Sequence, residues 1–258
     1  MTESGQRKLL TMLNPYLAYG WASTLGRLVI AATVTLGFAV VAHVLRGVNR
    51  TGALAGGFAC FLLFAGAGPT AFAALSVLFL MTWATTRLGY GSKLALGLAE
   101  RREGRNAWQV LANLAVAALG SVVFSVTGNR VWLVAALAAL CEAATDTVAS
   151  EIGQYRGSGA RMITTWNRVP AGTDGGITIS GSITGLAAGL VIALVGALGG
   201  MVLQSQIWIP VAAGFAGMLI DSILGATLQR RGWISNQAVN FFATVVAAGL
   251  AYAVTRLT

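Results

Sequence analysis

The sequence predicts an all-α protein: a polytopic transmembrane helical bundle of about eight helices, with seven as the alternative count. Three observations carry that expectation. Of 258 residues, 56% are apolar and 10% charged, and the mean hydropathy is +0.74, whereas soluble domains carry about 25% charge. Apolar runs recur at lengths near the roughly 20 residues a helix needs to cross a bilayer. The runs lack the alternation of a membrane barrel, so helices must satisfy the backbone in lipid. Eight spans use about 160 residues, which leaves short connections and no room for a soluble catalytic domain.

Taken in order, residues 1–26 contain Arg7 and Lys8 but only a short apolar stretch before Asn14-Pro15. They read as an N-terminal interfacial segment and not as a cleaved signal peptide. Residues 27–258 form a single membrane-embedded catalytic domain. Its helices are expected near 27–45, 51–66, 69–86, 107–125, 131–150, 178–202, 207–228 and 236–255. Gly66-Ala67-Gly68-Pro69 makes the second and third a tight hairpin or a broken pair. Gly52 and Gly56 on the second helix, and Gly181, Gly185 and Gly189 on the sixth, repeat every four residues and let backbones pack closely. Cys60 and Cys141, isolated in apolar runs, read as small core residues. His43, one turn from Arg46, reads as interfacial. Trp83, Trp108, Trp132, Trp208 and Trp233 fall near helix ends, as in an aromatic belt.

Charge sets the orientation. With eight spans, one side carries Arg46, Arg50, Arg87, Lys93, Arg101, Arg102, Arg105, Arg156, Arg161, Arg168, Arg230 and Arg231, twelve of the 17 basic residues. The other side has Arg7, Lys8, Arg27, Arg130 and Arg256. The twelve-rich side is expected to be cytoplasmic, in a bacterial-type inner membrane, with the N-terminus outside. The two longest connections, about 87–106 and 151–177, lie on it, so function belongs there. The basic residues behind the net charge of +9 are scattered singly or in pairs between apolar runs, which argues against nucleic acid as a partner. Membrane lipids are the expected surroundings.

The acidic minority points to chemistry. Glu3, Glu100 and Glu103 have polar neighbours, whereas Glu142, Asp146, Glu151, Asp174 and Asp221 lie in or beside apolar helices, where a carboxylate is expensive and marks a functional site. Glu142 and Asp146 share a helix face at i,i+4. Gly172, Gly175 and Gly176 permit positive φ and an anion-binding nest of successive N–H groups, although Thr173 and Asp174 also suit a helix cap. Arg161 and Arg168 add positive charge beside that turn. Together with the embedded carboxylates this reads as a site for phosphate and a divalent metal, and carboxylate oxygens suit Mg²⁺. Arg87 and Lys93 flank Gly89 and Gly91. Asn236 and Asn240, also i,i+4, either reach one shared partner or serve as caps and interhelical hydrogen bonds.

The chain has no Walker A sequence, no GxGxxG after a strand and no zinc-ligand spacing. Any nucleotide must bind short loops at the membrane surface. Transfer between two phosphates needs positioning and charge neutralisation more than covalent catalysis. Asp146, Glu151, Asp174 or Asp221 suits the metal, and Lys93, Arg161 and Arg168 suit the acceptor phosphate.

Six stretches in order, G-A-L-A-G-G from Gly52, T-R-L-G-Y-G-S-K, A-T-D-T-V-A-S-E-I-G, V-P-A-G-T-D-G-G-I-T, D-S-I-L-G-A-T-L-Q and N-Q-A-V-N, resemble a family of integral membrane proteins. Its best understood members are the phytyl-phosphate kinases of photosynthetic organisms. The resemblance covers about residues 51–245. It implies a CTP-dependent kinase that converts an isoprenyl monophosphate (phytyl, geranylgeranyl or farnesyl) to the diphosphate. Its residues would be Lys93, Asp146, Glu151, Asp174, Asp221 and Asn240. A cytidylyltransferase would use the same parts but release pyrophosphate. A transporter would be expected to show internal repeats and polar breaks at the midplane; no convincing repeat is present.

Overall fold

In the computed structural model, residues 24–157 and 159–258 are described. The interfacial segment expected over 1–26 lies, up to residue 23, outside them. Eight helices among the described residues are long and apolar enough to span a bilayer: α1 (Thr24–Val44), α2 (Arg50–Ala67), α3 (Pro69–Arg87), α5 (Ala107–Thr127), α6 (Val131–Arg156), α7 (Ile179–Leu198), α8 (Trp208–Leu224, within a span that runs Gln204–Gln229) and α9 (Asn236–Leu257). A short α4 (Tyr90–Ala95) follows α3, and two-residue strands β1 (Arg161–Met162) and β2 (Gly176–Ile177) pair antiparallel between α6 and α7.

Local chemistry sets the ends. The Asn49 side chain accepts the Gly52 N–H at the start of α2, Asn106 and Gln109 form a capping box at α5, and Ser235 caps α9. These are the side chains that satisfy orphan amides best. Pro69 opens α3 directly after Gly68, so α2 and α3 make the expected tight hairpin. Two boundaries differ from expectation. α6 runs on to Arg156, six residues further, because Glu151 to Arg156 contain no proline and the one glycine, Gly153, is buried against Thr178; it stops at Gly157 in the left-handed conformation. α7 stops at Leu198, where Gly199 and Gly200 turn the chain. α8 ends in a π-turn over Gly225–Gln229.

Helix α6 is the axis. It is packed by α3, α5, α7, α8 and α9, and Leu133 to Val148 are buried almost without interruption. The glycine stripe of α7 makes that contact. A Cβ on Gly181 would lie 2.4 Å from the Ala149 carbonyl oxygen, and one on Gly185 2.5 Å from that of Thr145. α1 packs on α2 and shows Leu25, Val29, Leu36 and Val40 to the surroundings, as a lipid-facing helix does.

The connections 45–49 and 88–106 meet at one end of the bundle. Arg105 N–H donates to the Gly47 carbonyl, Asn49 N–H donates to the Arg105 carbonyl, and Arg87 donates to the Leu45 carbonyl. At the other end the Arg130 guanidinium reaches the Gly200 carbonyl, and Gln206 reaches Thr258. The basic connections therefore share one face, as the charge asymmetry predicts.

Candidate functional site

At the basic end a polar cavity of about 380 Å³ opens between α5, α6, α8 and α9, roofed by residues 98–105 and 171–178. Asp146 and Glu151 reach it from α6, Asp221 from α8, Asn236 and Asn240 from α9, and Gly172 to Gly176 from the loop before α7. α6 and α8 deliver their carboxylates to one place because Gly214 and Gly217 of α8 lie directly against Cys141 and Glu142.

Asp221 is held from α9. With its amide nitrogen toward Asp221, Asn240 donates to Oδ2 at 3.2 Å and to the Asn236 carbonyl at 2.9 Å. This realises the i,i+4 relation of the two asparagines through one side chain and one backbone group, while Ser235 takes the capping role. Asp146 and Asp174 both lie within electrostatic reach of Asp221, and Arg105 faces Asp146. Burial raises the Asp174 carboxyl above its usual range, against the opposing pull of the Arg230 guanidinium. Glu142, one turn deeper than Asp146 on α6, is buried with no hydrogen-bond partner on either carboxylate oxygen.

Lys93 and Glu151 meet each other, Glu151 at the cavity wall and Lys93 behind it. Lys93 is fully buried, and its ammonium donates to the Thr85 and Thr86 carbonyls and to the Glu151 carboxylate. Thr86 Oγ1 donates to the other Glu151 oxygen at 3.0 Å. All three ammonium hydrogens and both carboxylate oxygens have protein partners, so the pair ties α3 and α4 to α6 at the wall of the cavity that Glu151 lines. Tyr155 from the same helix seats against Gly89.

Arg161 and Arg168 also lie off the cavity. Arg161 donates to the Trp166 carbonyl at 2.8 Å and stacks over that indole, while Arg168 pairs with Arg161 in a backbone bridge and points to solvent. Arg87 stacks on Trp83 and borders a neighbouring apolar groove.

Gly172 and Gly175 have positive φ, 78° and 75°, but the turn's N–H groups are partly spent. Thr173 N–H donates to the Pro170 carbonyl and Gly176 N–H to the Thr173 carbonyl. The close approach at Gly175 is to Ala226 of the π-turn, whose backbone nitrogen would lie 2.5 Å from an added Cβ. Thr173 and Asp174 do not cap α7; β2 intervenes, and Thr178 accepts the Gly181 N–H at 3.0 Å.

Sequence reasoning missed Arg105, Gln109, Asn113, Thr147 and Gln154, all lining the cavity. A signal existed for two of them. Gln109 and Asn113 are carboxamides one turn apart on a largely apolar helix, where polar groups mark function. Among the described residues no group of three or more His, Cys, Asp or Glu side chains is arranged to hold a metal by itself.

Residues 33–248 match the family described as Integral membrane protein DUF92. The chain is 32% identical over 196 residues to the uncharacterized membrane protein sll0875 of Synechocystis, covering 74% of this chain and 76% of that one. It is 30% identical over 226 residues to the uncharacterized membrane protein MJ0933 of Methanocaldococcus jannaschii, covering 86% and 92%. With Protein VTE6, chloroplastic, of Arabidopsis thaliana it shares 30% identity over 186 residues, 67% of this chain but 55% of that protein. No solved structure matches the chain.

Proposed function

Starting from the fact that this chain belongs to the DUF92 integral membrane family, we propose that it is a nucleotide-dependent phosphotransferase. It uses CTP to phosphorylate an isoprenyl monophosphate to the diphosphate at the cytoplasmic face of the membrane. One observation carries the reading: Asp146, Asp174 and Asp221 line a single polar cavity at the basic end, and the motifs bearing them are those of the phytyl-phosphate kinase resemblance.

The residues fit Mg²⁺ of the kind that arrives with a nucleotide. Such an ion takes one or two carboxylates and completes its shell with phosphate oxygens and water, and the cavity offers Asp146 and Asp221 without a self-sufficient protein cage. Asp146 and Asp221 would hold it, with Asp174 at the rim; when bound it neutralises charge on the nucleotide phosphates. The protein's own part is positioning. Asn240 fixes Asp221, Arg105 brings a cation opposite Asp146, and the acceptor phosphate, already ionised, needs no strong general base.

The test is purified protein in lipid vesicles with CTP, Mg²⁺ and a panel of isoprenyl monophosphates. The expected pair is isoprenyl diphosphate and CDP. A CMP-linked lipid with pyrophosphate makes the protein a cytidylyltransferase, and no product with any lipid phosphate overturns the reading.

A further inference from the structure

Beside the polar cavity, and sharing Glu100, Arg105, Gln109, Asn113 and Thr147 with it, lies a second cavity of about 400 Å³ between α1, α2, α3 and α5. Its body is hydrocarbon-like, formed by Phe38, Ala42, Gly56, Cys60, Leu78 and Phe79. Its mouth is cationic, with Arg46, Arg87, Arg102 and Arg105 at the basic end. Among the described residues only Arg105 has an acidic partner, Glu100, at 3.9 Å, and the Glu100 oxygen it faces also accepts from Gln109.

We propose that this groove is the acceptor site, taking one isoprenoid chain of a monophosphate with the phosphate held by Arg46, Arg87 and Arg105. It rests on the phosphotransferase reading for the chemistry and adds the place and polarity of the lipid.

Three features commit the groove to that occupant. The volume lies near the lower end of the roughly 300–1,000 Å³ of small-molecule sites, on the scale of a single hydrocarbon chain. The cations cluster at one end only, matching a ligand that is apolar along its length and anionic at its tip. At that tip Arg105 belongs to the wall shared with the polar cavity, which Asp146 and Asp221 line and where a donor nucleotide would present its terminal phosphate.

The arginines are built in. Arg105 is held by backbone bonds on both sides, to Gly47 and Asn49, and only glycine fits beneath it: a Cβ on Gly52 would meet the Arg105 carbonyl oxygen at 2.2 Å. Arg46 has φ 55° at the C-terminal end of α1, a place that glycine or asparagine usually takes. A bulky cation at a glycine position stores strain, which gathers at ligand sites.

The experiment uses the full chain in nanodiscs with a diazirine-bearing geranylgeranyl monophosphate and no nucleotide. Cross-links are expected on α1, α2 and α3, displaced by unlabelled geranylgeranyl monophosphate. Arg46→Gly separates binding from folding, because glycine relieves the strained φ. Affinity should fall about tenfold, the loss of one charge-assisted contact, with Tm unchanged or higher. Arg87→Gln should weaken binding similarly, and Gly56→Leu should favour geranyl over geranylgeranyl monophosphate. Cross-links confined to the outer faces of α7 to α9 overturn the proposal. Equal displacement by geranylgeraniol or phosphatidic acid also overturns it and makes the groove a general lipid site. Phosphorylation measured on the same preparations keeps the two ideas apart: turnover with cross-links elsewhere sinks the groove alone, and groove cross-links without turnover sink the kinase alone.

Discussion

Lys93 and Glu151 show how a residue's role depends on a partner distant in sequence. Both have every polar group matched inside the protein, and breaking a buried ion pair from one side costs about 3–5 kcal/mol because a charge is left alone. Lys93→Met is therefore expected to lower Tm steeply, and adding Glu151→Leu should restore much of the loss. The remaining folded protein should keep near-normal kcat, read by thermal melts and kinetics on one preparation. Asp221→Asn should behave in the opposite way. The amide keeps the shape beside Asn240 but removes a hard anionic oxygen, so turnover should fall by at least about a hundredfold, of the order that losing one electrostatic stabiliser costs, with a small change in Tm. The carboxylates were legible from sequence because an acid in an apolar helix has few bland explanations. The Lys93 partnership was not, since it joins positions 58 apart and a lysine flanked by glycines reads equally as a phosphate ligand.

The glycines divide by what surrounds each. Gly185 on α7 lies against the Thr145 carbonyl, 2.5 Å from where a Cβ would sit. Gly185→Leu should thus force α6 and α7 apart and leave little folded protein extractable in mild detergent. Gly91 in α4 has open space about it and an ordinary φ. Gly91→Ala should be neutral or stabilise by up to about 1 kcal/mol, as alanine does in a helix. Gly175→Ala meets both a positive φ and the Ala226 backbone, so a loss of about 1–3 kcal/mol is expected, measured as a fall in Tm. The spans were legible to within a few residues because hydropathy decides them. The two-residue strands and the π-turn were not, because no periodicity emerges from so few residues and their partners are distant in sequence: Arg161 and Met162 pair with Ile177 and Gly176, and Ala226 of the π-turn lies against Gly175.

Across the whole molecule, the basic connections meet at one end and carry the polar cavity with them. Arg105 belongs to both cavities, yet in the sequence it is one of several charges in an Arg-rich connection; only the docking of residues 101–105 on 45–49 gives it a place. Single cysteines at Ser92 and Thr165, in a Cys60→Ala, Cys141→Ala background, are exposed on this face. Both should react with impermeant maleimide from the cytoplasmic side, and a cysteine at Gln204 from the opposite side. Reaction of Ser92 and Thr165 from opposite sides would contradict the shared face. The most direct measurement follows the γ-phosphorus of CTP in a single turnover with geranylgeranyl monophosphate and Mg²⁺, for the wild type, Asp146→Asn and Asp221→Asn. The label should appear in the isoprenyl diphosphate of the wild type and in neither folded variant. Label found only in pyrophosphate, or transferred at the wild-type rate by both variants, would contradict phosphoryl transfer at this cavity.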